Sequence, residues 1–411
     1  MTQKNLFKIL FSLLLVGLFS CNEKQKNESK LHGNYHAVLN ISDHIVPFFL
    51  NLNQVGEKWT AEIINGEEVL DYDEVYLKED SLIIVMGVFD AEIRAKVNKD
   101  GSLSGEFVKN NVTGYRIPFE AKTNPGQRFP TEADPQTDFS GKWRTVFKDE
   151  KGNNYDAIGI FEQEGKQIKG TFLTKLGDYR FLDGNVEGNT FYLSAFDGSH
   201  VYYFEGSLNN GEQLEGKFRS GPRYAESFTA VRDDSFELPD AYSLNYLKPG
   251  FDKLTFTFPD LEGKPVSLED EAYKNKVVLV QLFGSWCPNC MDETKFLANW
   301  YKNNQSRGIK IIALAFESKP DFDYASKRVA KTKERLGADY TFLIAGESNK
   351  EKASQALPAL NQVIAFPTLI YLDRNGKVVK IHTGFNGPGT GDYYQQWVES
   401  HENLINELLE G

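Results

Sequence analysis

The stretch Phe283-Gly284-Ser285-Trp286-Cys287-Pro288-Asn289-Cys290 sets two cysteines three positions apart. The apolar run Val277-Val278-Leu279-Val280 precedes it and a segment with helical periodicity follows, so the pair is expected where a buried strand runs into a helix. Unpaired backbone N–H groups at a helix N-terminus carry a partial positive charge, which favours thiolate over thiol. Cysteines in such motifs have pKa values of roughly 3.5–7.5, against about 8.5 for a free thiol. Cys287 therefore reads as the nucleophile of thiol–disulfide exchange, and Cys290, one helical turn on, as the thiol that resolves the mixed disulfide. Pro288 suits the first helical turn, where its missing N–H removes nothing the helix needs.

Other uses of the pair fit less well. Zinc wants four ligands, whereas the chain has three cysteines and none of its six histidines is close to the motif in sequence. An inert disulfide would close too short a loop to constrain the unfolded chain much. No metal and no cofactor is expected.

The elements that must position the motif alternate between strand and helix from residue 250 to residue 411, as a sheet with crossover helices requires. Val277–Phe283, Ile309–Phe316, Tyr340–Ile344 and Thr368–Leu372 read as strands, with Lys377–Ile381 pairing with the last of these. Phe296, Leu297, Trp300 and Tyr301 recur at helical spacing and should face the sheet. Asp321 to Leu336 reads as a helix capped by Gly337, and Tyr393 to Leu409 as another with Trp397, Val398, Leu404, Ile405 and Leu408 on one side. Glu293 falls on the same helix face as Cys290, although its spacing alone reads as a solvated glutamate, like Asp292 beside it.

Three pieces of this segment together resemble the membrane-anchored, TlpA/ResA-type branch of the thioredoxin-like thiol–disulfide oxidoreductases. Phe258-Pro259-Asp260-Leu261-Glu262-Gly263-Lys264-Pro265-Val266-Ser267-Leu268 resembles the opening hairpin of those domains, and Trp286-Cys287-Pro288-Asn289-Cys290 their redox motif. Phe366-Pro367-Thr368, followed by Leu369-Ile370-Tyr371-Leu372-Asp373 and Gly376, resembles their cis-proline loop and its strand. The resemblance implies a thioredoxin-like fold, a redox disulfide between Cys287 and Cys290, and reductase activity. It implies that Glu293 occupies the family's acidic position, where a carboxylate can take the proton that Cys290 loses on attack. It implies a cis bond before Pro367, with Phe366 and Pro367 lending backbone groups to an incoming chain by strand addition. Trp286 would either cover one side of the disulfide or simply pack in the core. Gln281 departs from the buried aspartate of many cytosolic thioredoxins, though not from the anchored branch, and Lys295 stands where the family often has proline. Peroxiredoxins have threonine and proline at positions held here by Gly284 and Val280, which argues against a peroxidase.

The rest of the chain reads as export signal and β structure. In residues 1–20, Lys4 and Lys8 precede an apolar run from Ile9 to Phe19, too short to span a bilayer as a helix. Leu18-Phe19-Ser20-Cys21 resembles a bacterial lipobox, which would make Cys21 the lipidated first residue of the mature protein. Residues 21–31 read as a polar tether. Residues 32–123 and 138–232 carry short alternating runs broken by Gly, Asn and Asp, expected as two antiparallel all-β repeats, with linkers at 124–137 and 233–249. Gly33-Asn34-Tyr35 pairs with Gly141-Lys142-Trp143, Leu103 to Phe107 with Leu214 to Phe218, and Phe119 with Phe228, which suggests an internal duplication. These stretches also resemble small calycin-type barrels, whose aromatic residues here are expected to fill a core rather than line a pocket.

The expected architecture is therefore a multidomain chain, a duplicated antiparallel all-β region followed by an α/β thioredoxin-like domain. With 58 acidic against 46 basic residues and no basic cluster, nucleic acid is not an expected partner. The expected partners are disulfide-containing proteins, an upstream membrane thiol reductant, and the membrane itself through Cys21. The expected place is the cell envelope, facing the periplasm or the cell exterior. A disulfide oxidase or isomerase is the alternative activity. A ligand-binding lipoprotein centred on the β region is the alternative of a different class.

Overall fold

The computed structural model describes residues 31, 33–123, 126–209 and 212–410. The export segment, Cys21 and nearly all of the tether lie outside these residues. The first β region comprises β1 (Gly33–Ile41), β2 (His44–Val55), β3 (Lys58–Asn65), β4 (Glu68–Lys78), β5 (Ser81–Val85), β6 (Ala91–Val97), β7 (Leu103–Lys109) and β8 (Arg116–Thr123). Each strand pairs antiparallel with the next and β8 returns to β1, closing a barrel without an edge. Alternation decides which side chains fill it: along β1, Tyr35, Ala37, Leu39 and Ile41 point inward. Leu31, at the end of the expected tether, is fully buried in the same core.

The second region repeats this path. It comprises β9 (Gly141–Asp149), β10 (Asn154–Glu164), β11 (Gln167–Thr174), β12 (Gly177–Asp178), β13 (Leu182–Glu187), β14 (Thr190–Phe196), β15 (Val201–Asn209), β16 (Gln213–Ser220) and β17 (Tyr224–Arg232). Closure runs through β17 to β9 and β10 to β11. The paired sequence landmarks fall on matching strands, β1 with β9, β7 with β16 and β8 with β17. Phe147, Phe172, Phe204 and Phe228 pack ring against ring inside, so these aromatics form a filled core as expected. The short β12 has no counterpart in the first barrel.

The barrels share apolar contacts: Phe196, Val201 and Tyr203 of the second belong to the core of the first. Arg128, from the segment between them, is buried at this junction. It donates to Ser194 Oγ (2.8 Å), Asn65 Oδ1 (2.9 Å) and Ile64 O (3.2 Å), and pairs with Asp183 at 3.1 Å. Removing one partner of a buried ion pair leaves the other charge uncompensated. Arg128→Ala is therefore expected to cost about 3–5 kcal/mol in urea unfolding; a change below about 1 kcal/mol would show that the junction does not depend on it.

The C-terminal domain opens with the hairpin β18 (Thr257–Pro259) and β19 (Pro265–Ser267). There follow β20 (Val277–Phe283), α1 (Pro288–Asn304), β21 (Ile309–Glu317), α2 (Phe322–Leu336), β22 (Thr341–Glu347), α3 (Lys350–Ala356), β23 (Thr368–Leu372), β24 (Val378–Thr383) and α4 (Asp392–Glu410). The sheet order is β22-β21-β20-β23-β24, parallel among the first three and antiparallel at β23 and β24. One face packs on α1, α4 and Val329 of α2, the other on α3 and the opening segment. Asp321 caps α2 by accepting the N–H of Tyr324, and Gly337 ends it in the left-handed region. Leu297, Trp300 and Tyr301 are buried as expected, whereas Phe296 is half-buried and packs on Trp397. This is a thioredoxin-like α/β domain. Among the described residues, no helix is long and apolar enough to cross a membrane.

Candidate active site

β20 is buried along its whole length because it is the central strand, with a neighbour on each side and a layer on each face. Its end passes the chain through Gly284 and Ser285 to Cys287, the residue that caps α1. The Cys290 backbone N–H donates to Cys287 Sγ at 3.2 Å, so sulfur stands where a capping oxygen ordinarily would. Pro288 takes the first helical position. The two cysteines are joined in a disulfide with their Cα atoms 5.2 Å apart. Cys287 keeps 6% exposure and Cys290 none, so an incoming sulfur can reach only Cys287. Once reduced, a Cys287 thiolate would be held by that N–H and the positive end of α1.

One turn along α1, Glu293 is fully buried. Its Oε2 accepts from Gln281 Nε2 at 2.7 Å, and its Oε1 has no hydrogen-bond partner among the described residues. Burial pushes the carboxyl up to about 8, and the Gln281 hydrogen bond offsets only part of that. Thr294 Oγ1 donates to Gln281 Oε1 at 3.3 Å and fixes the amide from its other end. Gln281 and Glu293 thus form one unit beneath the motif, with a proton that exchanges in the working range of thiol chemistry.

Trp286 and the loop before β23 bound the approach to Cys287. The Phe366–Pro367 bond is cis, and the Phe366 carbonyl oxygen lies 3.6 Å from Cys287 Sγ. Trp286 is half-buried, its Nε1 donates to Phe316 O at 2.8 Å, and its ring meets Phe366 edge-on at 5.8 Å. Of the two roles considered for Trp286, packing against the core is the one these contacts show. The structure brings together Trp286, Cys287, Cys290, Glu293, Phe366 and Pro367; Cys21 lies outside the described residues.

Two contributors were not anticipated from the sequence. Glu317, at the end of β21, is fully buried and accepts from both Ser285 N and Ser285 Oγ at 2.7 Å. The parallel register Phe283↔Ala315 carries Ser285 to a place opposite Glu317, so the signal existed only once strand pairing was known. The other is Asn289, whose Nδ2 donates to the carbonyl oxygen of Asp178 in the second barrel at 3.1 Å.

Comparison with known proteins finds relatives of the C-terminal domain. Residues 249–396 match the Redoxin family model. The chain is 33% identical over 129 residues to the thiol-disulfide oxidoreductase ResA of Geobacillus thermodenitrificans, covering 31% of this chain and 66% of the relative. It is 28% identical over 138 residues to ResA of Bacillus subtilis, covering 34% and 69%. The match thus spans about two thirds of the length of these relatives. Among solved structures, the thioredoxin domain of a thiol-disulfide oxidoreductase from Bacteroides vulgatus is 22% identical, with a TM-score of 0.28, 37% of this chain and 99% of that one being covered. The C-terminal part of the chain is a thioredoxin-like α/β domain that matches the Redoxin family model and is similar to the ResA thiol-disulfide oxidoreductases.

Proposed function

We propose that the chain is an exported, lipid-anchored thiol–disulfide oxidoreductase that reduces disulfides of extracytoplasmic proteins through Cys287 and Cys290. The observation that carries this reading is the disulfide at the N-terminus of α1, in which Cys287 alone keeps any exposure, with the fully buried carboxyl of Glu293 one turn along the helix. The Cys287 thiolate attacks a substrate disulfide, forms a mixed disulfide and displaces one substrate thiolate. Cys290 then loses its proton to Glu293 in its ionised form, which a carboxyl raised to about 8 reaches in the range where thiols titrate, and attacks Cys287 Sγ. The second substrate thiol leaves and the Cys287–Cys290 disulfide closes. Two electrons have passed to the substrate, and an upstream membrane thiol reductant restores the dithiol.

Export and anchoring rest on the n-region, the apolar run and the lipobox-like Leu18-Phe19-Ser20-Cys21. The site residues are Cys287, Cys290 and Glu293 for the chemistry, and Trp286, Phe366 and Pro367 for holding the incoming chain. With insulin as substrate and dithiothreitol as reductant, the full chain is expected to accelerate precipitation of the reduced B chain. Cys287→Ser should lower that rate by roughly 10²-fold or more, to the uncatalysed background. Wild-type protein no faster than the dithiothreitol blank would refute the reading.

A further inference from the structure

The duplication makes one segment of the second barrel conspicuous. In the first barrel β3 passes to β4 through a tight hairpin at Gly66 and Glu67, with Asn65 paired to Glu68. The matching strands of the second barrel, β11 and β13, stay paired only up to Gly170 and Leu182. Past these, β11 runs on to Thr174 still paired with β10, turns at Lys175 and Leu176 into β12, and reaches β13 only after residues 179–181, a longer excursion than the two-residue hairpin. It ends on the redox motif.

The contact is close and backbone-led. Asp178 accepts from Asn289 Nδ2 through its carbonyl oxygen (3.1 Å) and from Gly387 N through its carboxylate (2.6 Å). A Cβ on Gly177 would stand 2.8 Å from Asn289 Nδ2, and one on Gly384 would stand 2.7 Å from the Leu176 carbonyl carbon. Only glycine at both positions lets the excursion seat this tightly between Asn289 and the loop after β24. The turn between β14 and β15 approaches from the same barrel, where Ser199 Oγ donates to Trp286 O at 3.4 Å.

A single guanidinium fastens the excursion. Arg180 is buried, adopts φ 62°, and its backbone N–H donates to Asp178 Oδ1 at 2.6 Å. Its side chain donates to Asp292 of α1 and to Glu68 of the first barrel, and lies 3.6 Å from Asp197. Three carboxylates from three parts of the chain thus converge on one cation, and they would repel one another without it.

We propose that this excursion, latched by Arg180 to Asp292, is a collar that sets the partner specificity of Cys287. It closes the Asn289 side of the motif and leaves approach over Trp286 and Phe366, which admits a slender, flexible disulfide-bearing segment and excludes a bulky folded surface. The proposal rests on the oxidoreductase reading for its consequence in turnover, but access to Cys287 can be measured without turnover.

The reduced full chain is treated with N-ethylmaleimide and, separately, with a maleimide carrying a polyethylene glycol of about 5 kDa; peptide mapping reads modification at Cys287 alone. Arg180→Gln and, from the helix side, Asp292→Asn are compared with wild type. Opening the latch is expected to raise the bulky-to-small rate ratio about ten-fold. It should also speed reduction of a folded protein disulfide while turnover of a short disulfide peptide stays within about two-fold. An unchanged ratio in both variants, each folded by circular dichroism, would overturn the collar. A raised ratio in a protein that reduces no disulfide would support the collar and remove the oxidoreductase reading.

Discussion

In a Cys290→Ser chain, Cys287 is expected to accumulate as a covalent mixed disulfide with the protein it attacks. The substitution leaves the nucleophile's surroundings in place, because the group that donates to Cys287 Sγ is the backbone N–H of residue 290, which serine keeps. The thiol that would release the partner is gone, and a hydroxyl does not displace sulfur. Turnover should therefore fall by roughly 10²-fold or more while the first chemical step persists. The adduct should appear on a non-reducing gel and vanish with dithiothreitol, and mass spectrometry of the partner would name the substrate. Cys287→Ser should capture little, since Cys290 is fully buried. Equal capture by both variants, or by neither in cells carrying the natural partners, would overturn the assigned roles.

What the sequence disclosed followed from local chemistry. Cys287 before Pro288 announced a helix start, and Asp321 and Gly337 bracketed α2, because caps depend on neighbours a turn away. The glycine-aromatic openings at Gly33 and Gly141 marked β1 and β9, because alternation and turn residues act over a few positions. Short α3 escaped notice, having too few turns to show a period. The features that decide the chemistry of the site were of another kind. Gln281 and Glu293 meet only when α1 folds back over β20, and by spacing alone Glu293 reads as a surface residue. Glu317 reaches Ser285 only through the parallel pairing of β20 and β21. Arg180 reaches Asp292 only when the second barrel is seated on the redox domain. Long-range packing sets each of these, and no spacing rule records it.

Glu293→Gln is expected to change both the stability of the protein and the pH dependence of its activity. The sign follows from the raised carboxyl. In the unfolded chain this group ionises near 4.5, whereas in the folded chain burial holds its proton up to about 8. Between those values the folded state binds the extra proton, so wild-type stability declines as pH rises. The slope from this group is about 1.4 kcal/mol per pH unit at full effect. An amide of similar shape carries no such penalty. The stability of Glu293→Gln relative to wild type should therefore grow from pH 4.5 toward pH 8 and level off beyond it, as read from guanidinium unfolding of the oxidised proteins. Activity should move the other way. Without a carboxyl to take the proton from Cys290, the resolving step should slow by roughly 10²-fold, and the wild-type inflection near the carboxyl's pKa should disappear. Relative stability that is flat across this range, with superimposable pH–rate profiles, would mean that Glu293 neither holds a raised proton nor handles one for Cys290.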